Sequence, residues 1–312
     1  MFMRSAVLSV SLLAAAAHAQ VVVTGIIDFA GASTVQARGI ASNGSIVGYR
    51  TIGGVTEGFI RASSVDTFFQ NAGTNTFALG INNAGAAVGS STPVGGVSSG
   101  FIRAGDGTFT TFDASGTSRS AVGINNEGVT VGALDTANGA WRRAADGTEI
   151  AFTYTGLPGD TIFNTNATAI LNDGAIIGHS VLLIGENLAG RGWLSTDSGA
   201  TFSDIAAPGF AFTFAWGGND AGLVVGDVSN SPSLALRTGF VLDRSSGAYT
   251  YFDVPGANWT VPTGINDAGQ IVGFWRSATD SQVRGFIAVI PAPGAAGLLM
   301  LGGLVAARCR RV

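Results

Sequence analysis

One short pattern recurs along the chain: an apolar run, Asn or Asp, a turn glycine, and a second glycine four residues later. Its clearest copy is Thr263-Gly264-Ile265-Asn266-Asp267-Ala268-Gly269-Gln270-Ile271-Val272-Gly273. The turn glycines are Gly44, Gly85, Gly128, Gly174, Gly222 and Gly269, spaced by 41, 43, 46, 48 and 47 residues. Self-similarity at such periods means stacked solenoid units or propeller blades. Asn or Asp beside Gly, between short apolar runs, is a hairpin signal, because these residues tolerate positive φ. The second glycine lies in the return strand, where it marks a bulge or a close backbone approach.

A second hairpin follows in each copy. Its first strand opens on glycine and an aromatic, as in Gly58-Phe59-Ile60, Gly100-Phe101-Ile102, Gly192-Trp193-Leu194, Gly239-Phe240-Val241 and Gly285-Phe286-Ile287, with Ala140-Trp141-Arg142 as a variant. Turns such as Gly105-Asp106-Gly107 or Ser246-Gly247 then lead into alternating strands, Phe109 to Asp113 and Tyr249 to Asp253. Each unit is thus about four short antiparallel strands, the make-up of a propeller blade. The last copy stops after Gly285 to Val289. Its missing outer strand matches the start of the repeat region. There Ile26-Ile27-Asp28-Phe29-Ala30-Gly31-Ala32 aligns with Tyr251-Phe252-Asp253-Val254-Pro255-Gly256-Ala257. The expected fold is therefore all-β: a six-bladed β-propeller of four-stranded blades over residues 20–288, its last blade closed by the N-terminal strand. An open β-solenoid of hairpin repeats is the alternative, and it would leave edges that need caps.

Composition agrees. The 312 residues include 47 Gly and 46% hydrophobic residues but only 12% charged ones. That supports a core and short strands joined by tight turns. The recurring Gly-Ile-Asn-Asp/Asn-x-Gly-x-x-Val-Gly core, followed by Gly-Phe and then Phe-Asp-x-Pro-Gly-Ala, resembles the bacterial extracellular HAF repeat family. In place of that family's name-giving aromatic tripeptide the chain has Gly-Phe-Ile and similar triplets. The resemblance covers most of residues 21–289 and implies a secreted or surface location more than an activity.

The ends read as addresses. Residues 1–19 form a secretory signal: Arg4, an apolar run from Ala6 to Ala17, and Ala17-His18-Ala19 before Gln20. At the other end, residues 289–312 carry Pro291-Ala292-Pro293, an apolar stretch from Ala295 to Ala307, and Arg308, Arg310 and Arg311. This order resembles the PEP-CTERM sorting signal, with Ala292 where glutamate is usual. The resemblance implies an exosortase-type processing enzyme as partner and transient contact with the inner membrane. The apolar stretch has 13 residues, whereas a full span needs about 20.

Every basic residue is Arg. Without Arg4, Arg308, Arg310 and Arg311, 12 of the 16 remain against 20 acids, a net charge of −8 that argues against nucleic acid as a partner. Cys309 is the single cysteine and lies in the tail, so the repeat region has no thiol chemistry. Only His179 remains once His18 leaves with the signal, which disfavours a catalytic triad. The G-x-S-x-G match at Gly96-Val97-Ser98-Ser99-Gly100 lacks the strand-to-helix turn that an elbow requires.

The turn residues Asn83, Asn126, Asp173, Asp220 and Asp267 are expected to form a polar rim, with tips too far apart to share a metal ion. No metal, cofactor or catalytic residue is expected. Asp146 and Glu149, beside a turn, read as a solvated edge. Trp141 and Trp193, at the Gly-Phe position, read as core between units. Trp216, Trp259 and Trp275 replace smaller residues of other copies, and His179 occupies a position that varies among repeats as Tyr49, Ser90, Ala133, Asp227 and Phe274. These four are the candidate ligand-binding residues. The expected role is a non-enzymatic binding or structural module at the cell surface or in the extracellular matrix, with exopolysaccharide as a partner. The alternative is a secreted polysaccharide hydrolase or lyase using channel carboxylates.

Overall fold

The computed structural model describes residues 20–71, 75–93, 95–112, 118–134 and 139–291, and residues 21–290 form one compact unit. The signal at residues 1–19, and Ala292, Pro293, Arg308, Arg310 and Arg311 of the sorting motif, lie outside the described residues. Among the described residues there is no helix.

Each sequence repeat folds as one antiparallel meander. Ahead of the first comes β1 (Val22–Ile27). The first repeat is β2 (Thr34–Ile40), β3 (Ile46–Ile52), β4 (Val55–Ala62) and β5 (Val65–Phe69). The second is β6 (Asn75–Ile81), β7 (Ala87–Thr92), β8 (Ser99–Arg103) and β9 (Phe109–Phe112), and the third is β10 (Arg119–Ile124), β11 (Thr130–Leu134), β12 (Ala140–Arg143) and β13 (Glu149–Phe152). After a two-residue strand β14 (Thr161–Ile162) come β15 (Asn166–Ile170), β16 (Ile176–Ile184), β17 (Asn187–Ser195) and β18 (Ser203–Ile205). The fifth repeat is β19 (Phe212–Gly218), β20 (Leu223–Ser229), β21 (Thr238–Asp243) and β22 (Ala248–Phe252). The last is β23 (Ala257–Ile265), β24 (Gln270–Ser277) and β25 (Val283–Val289).

The outer edge of β25 is taken by β1, antiparallel, with Val22 opposite Val289 and Ile27 opposite Gly285. The pairing strand starts four residues earlier than the sequence motif, whose second half is the turn that follows. Gly31 there has φ +79° and the Ala32 amide donates to the Phe29 carbonyl, 3.0 Å. Ala257 and Val254 repeat that turn at the same distance.

The paired glycines have separate causes. The turn glycines adopt φ between 74° and 87°, a region that side chains with a Cβ avoid. The return-strand glycines sit under aromatic rings of the next strand. Gly48 faces Phe59, Gly89 faces Phe101, Gly132 faces Trp141, Gly178 faces Trp193, Gly226 faces Phe240 and Gly273 faces Phe286. A Cβ on Gly48, Gly89, Gly132 or Gly226 would fall 2.8 Å from its ring. All these rings are at most 1% exposed. Burying each contributes roughly 2–3 kcal/mol. Trp141 and Trp193 belong to this core series.

The innermost strands β2, β6, β10, β15, β19 and β23 each carry a bulge, at Arg38, Leu79, Val122, Thr168, Trp216 and Thr263. The residue after each bulge meets its neighbour's backbone. A Cβ on Gly39 would lie 3.3 Å from the Gly80 Cα, one on Gly80 3.3 Å from Gly123, and one on Gly123 2.9 Å from Ala169. One on Gly217 would lie 3.0 Å from Gly264, and one on Gly264 3.3 Å from Gly39. Small residues are required here because the strands converge. The meanders are thus arranged about a central axis, and the chain is an all-β protein of β-propeller type.

Candidate functional site: the central cavity

The converging strands line an open cavity of about 120 Å³, to which every repeat contributes from the bulge residue to the hairpin turn. Its two ends differ in chemistry.

At the turn end a hydrogen-bond circuit links successive repeats. The Ser42 amide donates to Asn83 Oδ1 (2.7 Å), Asn83 N to Asn126 Oδ1 (2.9 Å) and Asn126 N to Asn172 Oδ1 (3.0 Å). Asn172 N donates to Asp220 Oδ1 (3.2 Å), Asp220 N to Asp267 Oδ1 (2.9 Å), and Ser42 Oγ to Asp267 Oδ2 (3.3 Å). Successive turn tips are therefore linked, side-chain oxygen to backbone amide. Backbone convergence at the small residues draws them together. Asn172, not Asp173, holds the fourth place. One residue earlier, Asn82, Asn125, Asn219 and Asn266 each send Nδ2 to the next repeat's carbonyl, at 3.0, 3.2, 3.0 and 3.1 Å. Their Oδ1 atoms accept amides of their own turns, such as Val129 N to Asn125 (2.9 Å). Where Ala41 and Leu171 stand instead, Asn43 and Asp173 take over the turn amide, from Ser45 N and Ala175 N at 2.9 Å.

At the bulge end the repeats diverge. Leu79 and Val122 are apolar, and the hydroxyls of Thr168 and Thr263 donate to the neighbouring carbonyls of Ala215 (3.1 Å) and Ala37 (2.9 Å). Arg38 and Trp216 remain, the guanidinium carbon 5.2 Å from the indole centroid. This is cation–π distance. Trp216 Nε1 donates to Asp227 Oδ1 at 2.7 Å. Arg237 holds the same carboxylate through Nε to Oδ2 (2.6 Å) and Nη2 to Oδ1 (2.7 Å). Asp227 is fully buried; burial pushes its carboxyl upward, opposed by Arg237 and by its hydrogen bonds.

His179 packs edge-on against Trp216, ring centroids 4.5 Å apart, and its Nδ1 lies 3.2 Å from the Ala215 carbonyl. That carbonyl requires the Nδ1–H tautomer, leaving Nε2 to face Asn166 Nδ2 at 3.5 Å. Burial, with Arg237 and Arg38 nearby, lowers its pKa to about 4, so the imidazole is neutral at pH 7. Burial likewise pushes the Tyr49 phenol upward.

Three of the four sequence candidates meet in this cluster. Trp216 and His179 touch directly, and Trp259 joins through Arg237, whose guanidinium lies 6.0 Å from its ring. Trp275 stands apart, beside Arg284 at 5.7 Å, against the core that contains Val21 and Val254. Sequence reasoning missed Arg38, Asp227 and Arg237 as site residues. Counting from the turn glycine finds the first two: Arg38 and Trp216 both lie six residues before it, His179 and Asp227 five after it. Ser98 of the G-x-S-x-G match shares a 2.6 Å hydrogen bond with Thr92 in a strand connection. Glu149 is ion-paired with Arg119 (3.0 Å) and Arg143 (3.5 Å), while exposed Asp146 accepts the Thr148 amide.

No protein-family profile and no curated protein matches the chain. Among solved structures it is similar to an arginine-to-alanine triple mutant of AofleA from Arthrobotrys oligospora, at 12% identity over 82% of this chain and 83% of that one, with TM-score 0.50. It is also similar to a streptogramin B lyase (12% identity, 84% and 86% covered, TM-score 0.47). A third is the Aleuria aurantia lectin with α-methyl-L-fucoside (10% identity, 86% and 96% covered, TM-score 0.47). Identities this low concern the fold alone, that of an all-β propeller-type chain.

Proposed function

We propose that the chain is an exported six-bladed propeller, its last blade completed by β1, that serves as a non-enzymatic binding module at the cell surface or in the extracellular matrix. The hydrogen-bond circuit from Ser42 round to Asp267 supports the closed ring. The likeness of residues 1–19 to a secretory signal and of the repeats to HAF proteins supports export. The PEP-CTERM-like tail makes an exosortase-type enzyme the processing partner.

One observation carries the non-enzymatic reading: the acidic groups at and beside the cavity are already hydrogen-bonded within the protein, Asp220 by the Asn172 amide and side chain and Asp267 by the Asp220 amide and the Ser42 hydroxyl. Asp227 is held by Arg237 and Trp216, and His179 is neutral with Nδ1 on a carbonyl. A hydrolase or lyase needs a carboxylate or imidazole free to exchange a proton with substrate. The proposed ligand is an extracellular saccharide, for which half-buried Trp259 offers a ring face, with Arg276 at 4.8 Å. A glycan array probed with the exported protein, with product release followed on the same sugars, tests this. Binding without product is expected; turnover would reverse the reading. Deletion of Val22–Ile27 tests the ring, which predicts a lower melting transition for the whole repeat region.

A further inference from the structure

Arg38 is the anomaly of the cavity. The other cavity arginine neighbour, Arg237, is matched by Asp227 through two hydrogen bonds. Arg38 takes part in no ion pair among the described residues. Its one hydrogen bond is a long contact from Nη1 to Gln36 Oε1, 3.5 Å, and its Nε is buried with no partner. Trp216 and Phe274, at 5.2 and 5.8 Å, offer ring faces but no anion. Counting Arg38, Arg237 and Asp227, with His179 neutral, the bulge end carries one uncompensated positive charge. Arg38 is half-buried at the cavity wall, and a partly desolvated charge without a counter-ion is one that an anion can complete.

We propose that the cavity is a binding site for a small monocarboxylate anion, held by the Arg38 guanidinium beside the Trp216 ring. The inference is independent of the saccharide reading. Three features choose the ligand class. The guanidinium fork matches two carboxylate oxygens, and a spherical halide uses that geometry poorly. One unmatched positive charge is neutralised by one negative charge, whereas a phosphate dianion would leave a net negative charge at the same guanidinium. The cavity of about 120 Å³ has room for an acetate-sized ion beside the guanidinium. Leu79, Val122, Ile40 and Ile81 in the wall suit a short apolar tail. Asp220 and Asp267 at the turn end repel an anion from that mouth and place it at the Arg38 end.

The test is titration calorimetry of the full-length protein with acetate, acetamide, chloride and inorganic phosphate, with melting temperature recorded for each. Acetate is expected to bind one-to-one and raise the melting temperature. Acetamide, of equal shape but neutral, should do neither, and chloride and phosphate should bind at least about tenfold more weakly. Arg38→Gln should weaken acetate by about tenfold or more while still melting cooperatively. Acetate without heat or stabilisation at about 50 mM, or acetamide equal to acetate, overturns the proposal without any variant being needed. Undiminished acetate binding by Arg38→Gln overturns it as well. The glycan array is read separately, so failure of one proposal does not mask the other.

Discussion

The turn end and the bulge end of the cavity are built by residues only four positions apart in each repeat, Ser42 and Arg38 in the first. At the turn end the repeats act alike, each backbone amide or hydroxyl bonding to its neighbour's side-chain oxygen. At the bulge end Leu79 and Val122 do nothing polar, while Arg38, Trp216, His179, Asp227 and Arg237 form a charged aromatic cluster confined to part of the circumference. One residue inward, where Asn82, Asn125, Asn219 and Asn266 bond buried carbonyls of the next repeat, backbone groups that must be satisfied impose sameness. A bulge re-aims one side chain inward without asking it to pair with anything, so that position is free to vary.

The largest effect is expected where the divergent end is most tightly committed. Asp227→Ala strands Arg237 and the Trp216 N–H in a buried site, and breaking such a pair costs about 3–5 kcal/mol. Urea denaturation measures this. Asp227→Leu combined with Arg237→Met should recover much of the loss, because the pair's gain and its desolvation nearly cancel. An Asp227→Ala protein as stable as wild type would mean that the cluster is not packed as described.

The same end governs pH dependence. His179 has a pKa of about 4 folded, below its ordinary 6.5. Between those values the unfolded chain takes up a proton that the native state refuses. The contribution is whole above pH 6.5 and is lost as pH falls toward 4, amounting to about 3 kcal/mol. Asp227 titrates in the opposite sense, so the clean measurement is a difference: wild type minus His179→Asn, by calorimetry from pH 7 to 4. That difference should fall by about this amount; a flat one would place His179 in contact with water.

A third substitution attacks what both ends share. A Cβ on Gly132 would strike the Ser120 carbonyl and lie 2.8 Å from the Trp141 ring. Gly132→Ala should therefore cost about 2–3 kcal/mol. Gly53→Ala should cost about 1 kcal/mol, since Gly53 has φ +58° but nothing within 4 Å. Equal costs at the two sites would show that the return-strand glycines serve flexibility and not the ring above them.

How much of this was readable follows from the same division. The meanders were legible because a turn needing positive φ and a glycine under an aromatic leave fixed marks at fixed spacing. The strand that pairs with β25 was legible through its turn, Asp28 to Ala32, although pairing extends back to Val22. The turn circuit was not, because side chains 41 to 48 residues apart meet only when the inner strands converge at Gly39, Gly80, Gly123, Ala169, Gly217 and Gly264. Trp216 and His179 were visible as departures from their repeats. Arg38 falls in no motif that the repeats share, and Arg237 lies between β20 and β21, where the repeats share no register.

The uniform end predicts a smaller, recoverable loss. Asn125→Ala removes the bond to the Leu171 carbonyl and the acceptor for Val129 N, worth about 2 kcal/mol. Adding Glu127→Asn copies the first repeat, where Ala41 is followed by Asn43, and should restore about half. Chemical denaturation of the single and double variants decides whether the two turn designs are interchangeable. No recovery would mean that the bolt to the next repeat, and not the turn amide, carries the energy.

The smallest stability effect separates the two arginines of the divergent end. Arg237 and Arg38 are alike in charge and both border aromatic rings, but only Arg237 has a carboxylate. Burial and the proximity of Arg237 lower the Arg38 pKa, the sign of a cation that gains little from its surroundings. Removing it in anion-free buffer therefore gives up a cation–π contact of about 0.5–1 kcal/mol and relieves the partial desolvation of a half-buried charge, two effects of opposite sign. Arg38→Gln should move the unfolding free energy by less than about 1 kcal/mol, while Arg237→Gln destabilises several-fold more. Acetate then turns the comparison around. Ligand binding stabilises a native state by mass action, so wild type should gain stability with acetate concentration and Arg38→Gln should not. A large loss for Arg38→Gln in the absence of any anion would show that the guanidinium is already matched, and the two ends of the cavity would then differ in sequence but not in function.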